Sequence, residues 1–79
     1  MKRTIQTKVV EIENEGGEHP RVVLQCPEGE LLEPKSSFKT KAIFIDQEPL
    51  VAASDRIKVL GKGKPSVHLG DTVVVEVVS

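Results

Sequence analysis

The sequence predicts an all-β fold: a single small barrel or β-roll of about six or seven short antiparallel strands over residues 1–79. Three observations carry that expectation. Phe38 and Phe44 are the only aromatic residues, so the core must come from Val, Ile and Leu, and the β-branched ones suit a pleated surface. No window places apolar residues at helical spacing over three turns, and Pro20, Pro27, Pro34, Pro49 and Pro65 interrupt the candidates. A strand–turn–strand pattern also occurs twice in the second half of the chain.

In chain order, Ile5, Val9, Val10 and Ile12 are separated by polar residues, which predicts a strand over residues 4–13. The apolar parity changes between Val9 and Val10, as at a β-bulge. Asn14-Glu15-Gly16-Gly17-Glu18-His19-Pro20 reads as the loop to a second strand, residues 21–26, centred on Val22-Val23-Leu24. Pro27-Glu28-Gly29-Glu30 is a turn, and Glu33-Pro34-Lys35-Ser36-Ser37 is another loop. Residues 38–45 alternate and then become continuously apolar, which predicts a strand exposed at its start and buried at its end.

The duplicated region follows. Pro49 aligns with Pro65, Val51 with Val67, Ala53 with Leu69, Asp55 with Asp71, and Ile57 with Val73. Each copy predicts a strand, a two-residue turn and a second strand. Gly70-Asp71 suits a type II′ hairpin with Val67 and Leu69 on one face and Ser66 and His68 on the other. The last strand carries Val73, Val75 and Val77 on one face and Val74, Glu76 and Val78 on the opposite one, implying at least partial cover on both sides.

The bulk numbers exclude several functional classes. Net charge is −1, so no global field draws the chain to nucleic acid or an anionic membrane. Charge is uneven, with four basic and seven acidic residues in 1–34 against seven and five in 35–79. Cys26 has no partner for an internal disulfide, which points to a reducing compartment and a cytoplasmic location. Met1-Lys2-Arg3 precedes polar alternation, so no secretory leader is expected. No apolar run approaches the roughly 20 residues of a membrane-spanning helix.

His19, Cys26 and His68 are the soft metal ligands, and they are the candidates for a metal site; their spacing matches no standard zinc pattern. Otherwise His19 is a loop residue, His68 faces outward, and Cys26 packs as a small hydrophobe. Gly61-Lys62-Gly63-Lys64-Pro65 offers two lysines and flexible N–H groups to an anion, without a Walker pattern. As a plain hairpin loop it would simply be soluble. Lys35, Lys39, Lys41, Arg56, Lys58, Lys62 and Lys64 are the candidates for a macromolecule-binding patch, with Lys39, Lys41, Arg56, Lys58, Lys62 and Lys64 the leading ones. Single-strand nucleic-acid binding normally adds aromatic stacking platforms, which this chain hardly supplies. Ser54, Ser66, Asp55, Asp71 and His68 lack a nucleophile elbow or oxyanion hole, so no enzyme is expected, and no cofactor.

Ile43-Phe44-Ile45-Asp46-Gln47-Glu48-Pro49-Leu50-Val51-Ala52-Ala53-Ser54-Asp55, and more closely Gly63-Lys64-Pro65-Ser66-Val67-His68-Leu69-Gly70-Asp71, resemble the repeat of PAAR-type spike-tip proteins. The resemblance covers residues 42–73. It implies a tapered β-roll capping the trimeric spike of a contractile injection system or phage tail, with a metal near the apex. The residues themselves favour a non-catalytic binding or assembly module whose partner is a protein or a second copy of itself, since a valine-rich final strand is a pairing hazard unless covered. An OB-like or SH3-like nucleic-acid module is a further alternative.

Overall fold

The computed structural model describes residues 2–33 and 35–78, so Pro34, read above as part of a loop, lies outside the described residues. Six strands form: β1 (Lys2–Glu13), β2 (Arg21–Gln25), β3 (Ser37–Lys39), β4 (Val51–Ala53), β5 (Arg56–Leu60) and β6 (Thr72–Val78). They make one antiparallel sheet in the order β3-β6-β1-β2-β5-β4, nearly closed into a barrel, and no described residue is helical. No helix is long and apolar enough to cross a membrane.

Strand β1 holds the barrel together by serving both halves. Its first part, Lys2 to Lys8, pairs with β6 from Val78 to Thr72. Its last part, Lys8 to Glu13, pairs with β2 from Gln25 to Arg21. The changeover falls at an irregularity between Val9 and Glu11, where the sequence places the parity switch. A bulge increases local twist and bends the strand, which lets one segment cross from one half of a barrel to the other.

Alternation then builds the core. Ile5 and Val9 of β1, Val22 and Leu24 of β2, Ile57 and Val59 of β5, and Val73, Val75 and Val77 of β6 all point inward and are buried. Each such aliphatic side chain contributes on the order of 1.5–3 kcal/mol of burial. Thr7 occupies the same inward row of β1. Its hydroxyl donates to the Val73 carbonyl at 2.9 Å, so burial leaves no donor unsatisfied. Val23 lies between Glu11 and Lys58 in the register and is buried, although the alternation of β2 places it on the outer face.

Three expectations need correction. The strand over 38–45 ends at Lys39, and Ile45 is 89% exposed. Ile43 and Phe44 are adjacent and both buried, which a strand with alternating faces cannot achieve against one core. They instead plug the barrel from an irregular connection, with Gln47 Oε1 accepting from the N–H groups of Ile43 (2.7 Å) and Phe44 (3.4 Å). Residues 66–69 form no strand, so Val67 is buried while Leu69 is exposed. The Gly70-Asp71 turn is therefore not a hairpin. Asp71 N–H donates to the His68 carbonyl at 3.1 Å and Gly70, the second central residue, has φ 89°, which is the signature of a type II turn. The outer face of β6 is partly covered, as its valines imply: Val74 is half exposed, while Glu76 and Val78 are partly buried.

Candidate binding groove

Three connections meet at the end of the barrel where β1 hands over to β2. The first is the β1–β2 loop. Glu13 and Arg21 face each other across its base, with Arg21 Nη1 3.5 Å from Glu13 Oε2. Asn14 adopts φ 56°, its carbonyl accepts from Gly17 N–H at 3.0 Å, and its side-chain amide donates to the Glu18 carbonyl. Asn is one of the few residues that takes the left-handed region readily, so one side chain both starts and spans the loop. His19 follows at φ 57°, and the buried Pro20 anchors the exit. The loop thus holds the His19 imidazole at its rim on a constrained backbone.

The second and third connections join at the top of β5. Glu48 N–H donates to the Leu60 carbonyl at 2.9 Å, seating residues 46–49 against the strand end. Gly61 comes next and lies flat on Phe44; a Cβ there would stand 2.3 Å from the Phe44 Cβ. Only glycine permits that approach, and it turns the chain so that Lys62 emerges beside the first loop.

Between them lies a cavity of about 440 Å³ whose lining brings His19 and Lys62 together with Asp46, Gln47, Glu48 and Pro49. A second, of about 330 Å³, is lined by Gly17, Glu18, His19 and Lys62. His19 and Lys62 belong to both, so the two spaces form one groove that runs past this pair. Its charge is bipolar: Lys62 faces Asp46 and Glu48, all solvent-exposed. Such an arrangement offers hydrogen-bond donors and acceptors to a polar ligand in an open cleft.

The remaining candidates are dispersed. Lys64 follows Lys62 in the same connection. Lys39 and Lys41 border a shallow depression of about 280 Å³ with Thr4, Val74 and Glu76, on the half of the barrel built from β3, β6 and the start of β1. Arg56 is held in a network in which its Nε donates to Gln25 Oε1 at 2.9 Å and Gln25 Nε2 donates to Asp55 Oδ2 at 2.8 Å. Lys58 lies between Val23 and Val51 in the register. The six cations thus fall into separate groups, and of them Lys62 lines the groove, with Lys64 two residues further on. The metal candidates are separated too. His19 and Cys26 flank opposite ends of β2, and His68 sits in the turn before β6, where its N–H donates to Asp71 Oδ2 at 2.8 Å. Among the described residues no group of three or more His, Cys, Asp or Glu is placed to hold a metal ion.

Cys26 is buried beyond the end of β2, with its N–H donating to the Asp55 carbonyl at 2.9 Å. Burial, and then the charges of Glu30 and Asp55, push its thiol above the ordinary range, with Arg3 opposing them. Arg3 forms an ion pair with Glu30 across the same end of the barrel. A thiol held protonated in this way is a packing group and a poor nucleophile.

Sequence reasoning found His19 and Lys62 but assigned them to different chemistries, and it missed Gly17, Glu18, Asp46, Gln47 and Glu48. No local signal marks the acidic wall as such. Gly61 was the available clue, because a glycine immediately before an exposed lysine marks a close backbone approach. Compared with protein-family models, curated proteins and solved structures, the chain matches none.

Proposed function

We propose that the chain is a non-catalytic binding module that docks a segment of another protein in the groove between residues 17–19, 46–49 and 61–62. The observation that carries this reading is the convergence of three connections, distant in sequence, on one cleft whose two cavities share His19 and Lys62. Loops fixed on a rigid β scaffold are where binding residues concentrate. The bipolar walls favour a protein segment over a nucleic acid. Backbone phosphates need a continuous positive track, whereas the cations here are dispersed and Asp46 and Glu48 face the groove. Self-association through the last strand has less support, since β6 lies between β1 and β3. The spike-tip reading needs ligands gathered near an apex, and His19, Cys26 and His68 stand apart.

A display library of peptides selected on the folded domain tests the proposal, with binders mapped by amide chemical shifts. Shifts are expected at residues 17–19, 46–48 and 61–62, and affinity is expected to fall roughly tenfold, about 1.4 kcal/mol, in a His19→Ala/Lys62→Glu variant. Binders that map to the Lys39 and Lys41 face, or that ignore the double substitution, overturn it.

A further inference from the structure

Within that groove, and resting on the docking reading, we infer that residues 62–64 form an oxyanion site that receives one carboxylate or phosphate group of the bound segment. Four observations combine. Among the described residues, the backbone N–H groups of Lys62, Gly63 and Lys64 donate to no protein acceptor. The backbone changes sign there, since Gly63 has φ 84° while Lys62 is not among the positive-φ residues. A bend that passes through a left-handed residue can bring three successive N–H groups together as a nest, a concavity for an anion. Lys62 and Lys64 are exposed, and neither enters an ion pair among the described residues. The His19 imidazole shares both cavities with Lys62 and adds a further ring nitrogen at the same rim.

The acidic part of the lining limits what kind of anion fits. Asp46 and Glu48 line the larger cavity together with Lys62, so a polyanion would meet repulsion there as well as attraction. A single oxyanion followed by a neutral or cationic stretch satisfies both walls. This gives the docked segment a direction, with its anionic group at 62–64 and its uncharged or basic part along 46–49. Capture of a terminal carboxylate or a phosphate by free backbone donors is an established way of fixing such a segment.

The test is an amide-resolved titration with inorganic phosphate and, separately, with acetate, each at ionic strength held constant by sodium chloride. Saturable shifts at Lys62, Gly63 and Lys64 are expected, with dissociation constants on the order of millimolar. A Lys62→Ala/Lys64→Ala variant is expected to weaken them roughly tenfold while leaving the amides of the strands unmoved. Saturation by both anions assigns the site to a carboxylate-bearing segment, and saturation by phosphate alone assigns it to a phosphorylated one. Shifts that track ionic strength alone, or that saturate at Lys39 and Lys41, overturn the site. Selected peptides that occupy the groove while neither anion moves residues 62–64 overturn the oxyanion inference and leave the docking reading standing.

Discussion

The two aspartate turns, Ser54-Asp55 and Gly70-Asp71, start from the same local sequence pattern and end in different structures. After the turn they agree. Ile57 and Val73 are both buried, and so are Val59 and Val75 two residues later. The residue before each aspartate has positive φ, 62° at Ser54 and 89° at Gly70. Each aspartate carbonyl accepts an N–H from a neighbouring strand at 2.9 Å, from Cys26 in the first copy and Val9 in the second. Before the turn they diverge. Val51 is a half-exposed residue of edge strand β4, whereas Val67 is 2% exposed and belongs to no strand.

The divergence lies in what the residues before each turn pack against. Strand β5 has β2 on one side and leaves the other to residues 51–53, so the first copy closes as a hairpin. Strand β6 is taken by β1 over seven register pairs, and on its other side β3 pairs with Glu76, Val77 and Val78. Residues 66–69 form no strand beside its start. Their one hydrophobic anchor goes into the core, helped by the Ser66 N–H donating to the Ile43 carbonyl at 2.9 Å. Local pattern specifies a reversal, and the packing of the residues before it decides whether the reversal becomes a hairpin.

The largest effect expected from this contrast is at the aligned valines. Val67→Ala should cost ~2 kcal/mol. Val51→Ala should stay within about 0.5 kcal/mol. Urea unfolding midpoints of the two variants measure it, and equal losses would mean that the two arms are equivalent after all. The turn residues come next. Gly70→Ala places a side chain at φ 89° and should destabilise by about 1 kcal/mol. Ser54→Gly relieves the matching strain at φ 62° and should be neutral or stabilise by a few tenths, about 0.5 kcal/mol. Opposite signs in the same thermal assay would confirm that both sites are held left-handed.

The smallest effect concerns the carboxylates. Asp55 stands near the Cys26 thiol and helps to keep it protonated, after burial and Glu30. The folded chain therefore retains a proton that the unfolded chain releases, so this contribution is intact below the unfolded thiol's value of about 8.5 and is lost as the pH rises through the higher native value. Asp55→Asn should lower the native thiol value and speed its labelling by a disulfide reagent at alkaline pH, while Asp71→Asn should not. Identical labelling rates in the two variants would remove the asymmetry.

Much of the fold is legible without coordinates. The bulge between Val9 and Val10, the placement of β1, β2, β5 and β6, and the inward row Val73, Val75, Val77 all follow from alternation, because side chains on a strand change face at every residue. The failures have one cause. Ile43 and Phe44 read as strand because they are apolar and consecutive, and residues 66–69 read as strand because they alternate, but in both stretches the core takes side chains from an irregular backbone. The groove was legible only in fragments. His19 and Lys62 are conspicuous residues, yet they are forty-three positions apart, and nothing local says that they line one cleft.

By itself the sequence determined that this chain is built of strands, where those strands reverse, and which valines, isoleucines and leucines turn inward. Those properties depend on residue-to-residue periodicity and on the backbone freedom of a few turn positions, both of which are local. The tertiary structure alone decided which strand takes each edge of β6, that Phe44 presses on Gly61, and that an imidazole, a lysine and two carboxylates share a groove. These depend on the closure of a barrel whose two halves are joined through one bent strand, a packing outcome that involves the whole chain at once.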